Sequence, residues 1–399
     1  MTKDYSPFTP GVPVPVDFFV GRAQEVERLL ATTRKSVELG TVQRVFVMGE
    51  RGIGKSSLCT FAIRVADSQL GVIGLHVFLG GVTTLEEMTR RIFERMLRDS
   101  RERPWHESIR RFLGDHVKQV GLFGVTVEFD ASQRDLEIAA RDFVPALTSL
   151  LAQIGDQRKG LLLVLDDING LAVSREFADW LKSVVDEMAT SREALPVTLV
   201  LVGLPERRQQ IVHGQPSLDR VFDLISIERF AEHEAREFYT RTFARVGSQV
   251  TDEALNLLIQ YSGGYPAFMH ELGDAVFNMD DDGTIDRQDA FAGLVRGAEV
   301  IGAKYIEQKI AAAIRSERYK AILTHISREP FGHRFSRKEV VGELPPAEAK
   351  VFDNFLRRMR DLGVIRQDLE RGPGSYEFTS QLYYLYFWLQ TPLEDMSRS

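Results

Sequence analysis

The 399-residue sequence holds a single cysteine, Cys59, so no disulfide can close within it, and it has no Cys/His cluster at zinc spacing. That usage fits a reducing, cytoplasmic compartment. Charge of one sign is not in excess either: 50 Lys and Arg stand against 57 Asp and Glu, a formal net charge of -7. With both signs spread along the chain, no global positive field draws in nucleic acid or an anionic membrane, and any nucleic-acid contact must come from a local patch. Long hydrophobic runs are missing as well. Residues 1–15 are polar and proline-rich without an apolar signal core, and the run 161–165 is far short of a membrane span. The expectation is a protein that neither spans a membrane nor leaves the cell by that route. Internal repeats and low-complexity tracts are not found in it. What remains is a chain with enough length and apolar content for two or three domains, each with its own core.

Short apolar runs alternate with amphipathic stretches through the first half. Residues 44–48, 72–79, 161–166, 197–203 and 222–227 read as strands, and 55–69, 85–98, 136–154 and 174–188 as helices between them. Such alternation implies an α/β fold with a parallel sheet covered on both faces. Residues 120–129, with Gly121 and Gly124 among alternating apolar positions, read as an extra hairpin of open role. After residue 230 the strands give way to helical segments at 232–246, 252–261, 267–278 and 287–299, a small helical lid. A long helix near 301–314 follows, then short helices at 319–326, 337–344 and 347–362, and a hairpin of 364–369 and 375–379 around Arg371-Gly372-Pro373-Gly374. Three helices and a hairpin make a winged-helix outline. The expected division is an N-terminal extension (1–18), a nucleotide-binding domain (19–230), a lid (231–300) and a winged helix (301–399).

Gly49-Glu50-Arg51-Gly52-Ile53-Gly54-Lys55-Ser56 matches the phosphate-loop pattern in full and lies between an expected strand and an expected helix. Glycines let backbone N–H groups turn inward on phosphates, and the helix N-terminus adds its dipole. Lys55 offers a point charge to the outer phosphates and Ser56 a hydroxyl to magnesium, with Ser57 next in line. The strand 161–165 runs into Asp166-Asp167, where a carboxylate at the strand end reaches a magnesium ion: Asp166 is expected to order the metal through water and Asp167 to orient the attacking water. The alternative for the acidic pair is a strand cap leading into the Asn169-Gly170 turn.

Taken with Phe19-Val20-Gly21-Arg22-Ala23-Gln24-Glu25 and Ser262-Gly263-Gly264-Tyr265-Pro266, these motifs resemble the ordered set of the AAA+/STAND ATPases. Within them the chain is most similar to origin-recognition-like and archaeal-type ATPases that end in a winged helix, over about residues 15–390. The resemblance implies a P-loop NTPase sheet, ATP with magnesium as ligands, Val20, Gly21 and Arg22 near the adenine, and Pro266 of the lid touching the nucleotide from the other side. It implies slow hydrolysis, because Asp167 stands where many relatives carry a longer glutamate. No arginine follows Pro266 at the conventional lid sensor, which favours the STAND-like switch, and no polar sensor stands near Gly203. The turn Gly203-Leu204-Pro205-Glu206 resembles that of ATPases regulating bacterial transposition and secretion. Arg220 matches the usual place of an arginine finger supplied by a neighbouring subunit, with Arg207 and Arg208 as competitors.

Weaker patterns have blander readings. Asn278-Met279-Asp280-Asp281-Asp282-Gly283-Thr284-Ile285-Asp286-Arg287-Gln288-Asp289 has calcium-loop offsets but ends in aspartate, and reads better as a turn with Asp286 capping the next helix. His106, His213 and His270 lack partners at ligand spacing and read as structural. Lys350, Arg357, Arg358 and Arg360 on the candidate recognition helix, with Arg371 at the wing tip, are the groups that could meet DNA phosphates. Residues 317–399 hold 13 Lys and Arg against 12 Asp and Glu, a balance of +1 that is weak for an electrostatic footprint. Tyr383, Tyr384, Tyr386, Phe387 and Trp388 read as core packing rather than base stacking. Two functional readings stand: a DNA-associated, oligomerising ATPase, and a signalling or defence switch whose winged helix docks a protein effector. A nucleotide-binding scaffold with negligible hydrolysis is a third.

Overall fold

Strands that are apolar at nearly every position belong at the centre of a sheet covered on both faces. In the computed structural model, which describes residues 5–12, 14–15, 19–114, 117–120, 126–307, 316–327 and 333–390, Leu161–Asp166 (β5) and Val197–Gly203 (β6) are buried throughout. They pair with Gln43–Met48 (β1), Ile73–Phe78 (β2) and Asp223–Ser226 (β7) in a five-stranded sheet of order β2-β5-β6-β1-β7, every pairing parallel. Register sets Met48 beside both Gly203 and Ser226, and Asp166 beside Val202. Motif-bearing strand ends therefore lie along one edge. Between them run Ala23–Leu39 (α1), Lys55–Leu70 (α2), Leu85–Ser100 (α3), His106–Leu113 (α4), Gln133–Arg141 (α5), Phe143–Ile154 (α6), Arg175–Thr190 (α7) and Pro205–Gly214 (α8). The residues fall into two compact units, 13–228 and 229–399, the latter including residues 1–12.

Helix ends follow from identifiable local causes. The helix expected over 136–154 breaks at Asp142 (φ -96°, ψ 37°), because Pro145 has no N–H to give the Arg141 carbonyl and its ring crowds that oxygen. The Ala140 carbonyl freed at the break accepts from Trp180 Nε1 at 2.7 Å. The helix beginning at Ala23 runs on to Leu39, where Gly40 in the left-handed region (φ 61°) stops it. The expected hairpin is present as Val117–Val120 (β3) paired antiparallel with Thr126–Phe129 (β4), while Gly121 and Gly124 lie outside the described residues.

In the second unit Glu232–Ala244 (α9), Asp252–Ser262 (α10), Pro266–Phe277 (α11) and Arg287–Ile301 (α12) are the four helices expected after the sheet, and Gln249–Val250 (β8) pairs in parallel with Thr284–Ile285 (β9) among them. A π-helical turn, Gly302–Ile306, continues α12, and residues 308–315 of the long helix expected there lie outside the described residues. Gly302 is packed so closely that a Cβ there would lie 2.0 Å from the Tyr386 ring. Helices Glu317–Ile326, Arg337–Glu343 and Phe352–Asp361 follow, with strands Arg334–Ser336 (β10), Ile365–Gln367 (β11) and Ser375–Phe378 (β12) in antiparallel order β10-β12-β11. The helix expected over 347–362 is in fact two, Pro346–Ala349 and Phe352–Asp361, since Val351 (φ -106°, ψ 0°) leaves helical geometry. Tyr384, Tyr386 and Phe387 are buried in this core, as their spacing suggested.

The N-terminal residues 5–12 are part of this second unit. Phe8 fits against Gly273, where a Cβ would meet its ring at 2.3 Å, and the Thr9 N–H donates to His270 Nδ1 at 3.1 Å. Phe8 and Phe238 lie edge-on to the imidazole. Burial pushes His270 down to about 4 from the usual value near 6.5. The unfolded chain therefore binds a proton across that window that the folded unit refuses, so stability is full above about pH 6.5 and falls as pH drops toward 4. Amide-exchange protection of α11 is expected to fall between about pH 7 and about pH 5, and to fall less in His270→Asn, which keeps an acceptor for Thr9.

Candidate functional site: a phosphate loop and two carboxylates

The chain turns sharply between β1 and α2 because three glycines allow it. At Gly49 the backbone passes so close to the segment after β7 that a Cβ would lie 2.7 Å from the Ile227 carbonyl oxygen, and Ile227 N–H in turn donates to the Met48 carbonyl at 2.7 Å. Gly52 (φ 80°) and Gly54 (φ 96°) are left-handed, and the space where a Gly54 Cβ would stand is open to 4 Å. The first helical bond of α2 runs from Leu58 N–H to the Gly54 carbonyl, leaving the amides of Lys55, Ser56 and Ser57 outside the helix ladder. Lys55 Nζ curls over its own loop, donating to the Gly49 and Glu50 carbonyls at 2.8 and 2.7 Å. Burial lowers its pKa from the ordinary value, and the charges of Asp166 and Asp167 work against that fall. The donors, the dipole and the ammonium suit a polyphosphate. Glu50 and Arg51 are exposed at the loop tip and Ile53 is buried beneath it.

The adjacent aspartates at the end of β5 have different surroundings. Asp166 is buried, with Oδ2 2.9 Å from His76 Nε2. His76, from the middle of β2, also places Nδ1 3.0 Å from Thr60 Oγ1, and Thr60, one turn into α2, donates to the Ser56 carbonyl at 2.9 Å. Asp167 takes a left-handed backbone (φ 58°), which turns its side chain away from that of Asp166. Its carboxylate lies over Gly80, where a Cβ would be 3.1 Å from Oδ2, and accepts from Asn169 Nδ2. Asn169 Oδ1 accepts from Leu204 N–H at 3.2 Å and lies beside Gly203. An amide thus stands next to the strand end where the sequence offered only glycine. A hydroxyl and a carboxylate are hard oxygen donors that suit magnesium alongside phosphates. No cluster of three or more His, Cys, Asp or Glu that could hold a metal by itself is found among the described residues.

His76 and Asn169 are the residues that motif reading missed. A histidine in the middle of an apolar parallel strand is costly to bury unless paired, and that was the available signal for His76. Asn169 was read only as half of a turn. That turn is genuine, since a Cβ on Gly170 would lie 2.3 Å from the Val82 carbonyl, yet it also aims an amide.

Of the other expected site residues, Val20 is buried and Gly21 is left-handed (φ 75°). Arg22, itself left-handed (φ 62°) and buried, caps α1, donates to the Glu228 carbonyl and lies 3.5 Å from Glu25. The Ser57 hydroxyl accepts from the Val14 N–H at 3.1 Å. Among the three arginines near β7, Arg208 is held by Asp219 at 2.6 Å and Arg207 by Gln210 at 2.8 Å. Arg220 is exposed, with no ion pair or side-chain hydrogen bond among the described residues.

In the second unit Pro266 opens α11 behind the left-handed pair Gly263 and Gly264. Arg229 lies over the Tyr265 ring, 5.7 Å from its centroid, and donates to the Thr379 carbonyl at 3.2 Å. The acidic loop at 278–289 spends its carboxylates on backbone: Asp280 accepts from Asp282 and Gly283, and Asp286 caps α12. Lys350, Arg357, Arg358 and Arg360 are exposed and make no ion pairs among the described residues. Arg371 lies 3.9 Å from the buried Asp368.

The family described as AAA ATPase domain matches residues 19–202. No curated protein matches the sequence. Among solved structures, a Walker-type ATPase of Pyrococcus abyssi is similar at 16% identity, covering 97% of this chain and 99% of that one with a TM-score of 0.55. The ORC2 protein of Aeropyrum pernix, solved as ADPNP and ADP complexes, is similar at 14% identity, covering 96% and 95% with a TM-score of 0.58. At that identity the likeness shows the fold, a P-loop NTPase sheet with its helices. Among the described residues no helix is long and apolar enough to cross a membrane.

Gly49→Ala tests the close approach that shapes the loop. The added methyl has no room beside the Ile227 backbone, so the substitution is expected to cost about 1–3 kcal/mol in stability. It should also weaken nucleotide binding, both read by calorimetry with and without Mg-ATP.

Proposed function

We propose that this chain, whose residues 19–202 form an AAA ATPase domain, binds Mg-ATP on the loop Gly49 to Ser56, hydrolyses it slowly, and passes the nucleotide state to DNA contacts through a C-terminal winged helix. The observation that carries the reading is the loop itself, with left-handed glycines at 52 and 54, the Lys55 ammonium over its carbonyls, and Asp166 and Asp167 at the end of β5. Free amides of Lys55, Ser56 and Ser57 and the Lys55 charge hold the phosphates. Ser56 and Asp166 hold magnesium, which when bound neutralises charge on the phosphate oxygens. Asp167 orients the attacking water, and its shorter reach compared with glutamate makes turnover slow. Val20, Gly21 and Arg22 serve the adenine end of the nucleotide.

Arg220 is the arginine finger in this reading. A finger has to reach a neighbouring subunit, and of the three candidates only Arg220 is not already occupied within its own chain among the described residues. DNA contact falls to Lys350, Arg357, Arg358 and Arg360. Phe352, Phe355, Leu356 and Met359 bury one face of the helix Phe352–Asp361 and leave Arg357, Arg358 and Arg360 to solvent, while Lys350 is exposed in the break before that helix. Arg371 contributes less, because Asp368 competes for it. The second reading, a STAND-type switch that docks a protein effector, is favoured by Asp167, which is shorter than glutamate and already accepts a hydrogen bond from Asn169, both of which slow the activation of water.

The test measures ATP turnover and particle size together, with and without DNA at low salt. Stimulation by DNA with salt-sensitive binding supports the first reading, and a flat response with nucleotide-dependent assembly moves the assignment to the effector switch. Lys55→Ala should lose Mg-ATP binding. Asp167→Asn should keep binding while losing turnover by roughly 10²–10⁴-fold, and Arg220→Ala should lose turnover, by about 10³-fold or more, only in the assembled form.

A further inference from the structure

We propose that His76 is the positioning residue that holds the magnesium pair together, fixing the Asp166 carboxylate and tying it through Thr60 to the turn of α2 that carries Ser56. The inference rests on the assignment of Ser56 and Asp166 to magnesium made above. An ionised carboxylate only accepts, so His76 Nε2 donates to Asp166 Oδ2 across 2.9 Å. The other carboxylate oxygen accepts no hydrogen bond among the described residues and is left for a ligand. Nδ1 of the same ring meets the Thr60 hydroxyl at 3.0 Å, and the single hydrogen of that hydroxyl is shared between Nδ1 and the Ser56 carbonyl 2.9 Å away. The two magnesium donors, on α2 and β5, are thereby bridged by one ring that touches neither phosphate nor metal. Phe78 stacks on the imidazole at 4.3 Å and 26°, and His76 is 5% exposed, so the ring has little freedom to turn.

Register explains how β2 supplies this group. His76 lies beside Val164 and Phe78 beside Asp166, so two-residue alternation puts His76, Phe78 and Asp166 on one side of the sheet, the side α2 covers through Thr60. A carboxylate without that donor would be a buried acceptor free to rotate, and outer partners of metal-binding carboxylates typically govern affinity by 10–100-fold.

The experiment titrates Mg²⁺ calorimetrically into full-length protein already saturated with metal-free ADPNP, for the wild type, His76→Gln, His76→Leu and Thr60→Val. Glutamine places an amide donor near the position of Nε2, whereas leucine fills the space without a donor. Magnesium affinity is expected to fall about 10–100-fold in His76→Leu, to stay near wild type in His76→Gln, and to fall by a smaller factor in Thr60→Val. Affinity for metal-free ADPNP should be the same in all four proteins. Unchanged magnesium affinity in His76→Leu, or equal losses in the glutamine and leucine variants, overturns the positioning role. Should ADPNP bind but magnesium fail to bind the wild-type complex, the metal assignment and this inference fall while the phosphate site stands; absence of ADPNP binding overturns the parent reading itself. If His76→Leu does not fold, the comparison of His76→Gln with His76→Asn, whose amide mimics Nδ1 rather than Nε2, decides the same question.

Discussion

The structure depends on backbone amides converging where β1 turns into α2. That convergence requires the chain at Gly49 to pass within contact of Ile227, and it requires left-handed backbone at Gly52 and Gly54. Both demands exclude side chains, so three glycines are structural necessities before they are functional ones. The sheet then supplies the rest. With β6 and β7 on either side of β1, the loop is braced by two parallel neighbours, and the end of β5 lies one strand farther along the same edge. An anion held at the loop is therefore within the field of two carboxylates and one ammonium, in a setting dry enough to shift the lysine downward.

Two aspartates adjacent in sequence would repel if they shared one environment. The fold separates them by giving the second a left-handed backbone, so that Asp166 continues the strand's buried face while Asp167 turns over Gly80. Each then has its own partner type, an imidazole for one and an amide for the other. The roles proposed for them, ordering a metal and orienting water, rest on that separation, and the difference in their exposure follows from it.

The second unit is organised around close approaches of a different kind. Phe8 against Gly273, Gly264 against the Phe230 carbonyl and Gly302 against Tyr386 each exploit a missing Cβ to bring elements into contact. Arg229 joins the turn before α11 to Thr379 beyond β12, and Lys304 pairs with the buried Glu271 at 2.8 Å. Lid helices and C-terminal helices therefore share polar links as well as apolar packing, which fits their behaviour as one compact unit.

Periodicity and motif chemistry were enough to place the five sheet strands, the helices after the sheet and the phosphate loop, because each is encoded over a few consecutive residues: short apolar runs, helical stripes, glycines at fixed offsets. Local signals also located the Asp166-Asp167 pair. They could not find the break before α6, where Pro145 acts on a carbonyl four residues back, or the split at Val351. Nor could they find His76, 90 residues from the aspartate it contacts, or Asn169, whose amide matters only once β6 ends beside it. Which arginine near β7 is left without a side-chain partner among the described residues was likewise decided by folding, since Asp219 and Gln210 had to be brought within reach of Arg208 and Arg207. The sequence by itself determined the residue types for holding a triphosphate and the strands and helices that carry them. Only the tertiary structure decided which side chains orient those groups, because hydrogen bonds across a sheet depend on strand order and register, and neither is written in any one segment.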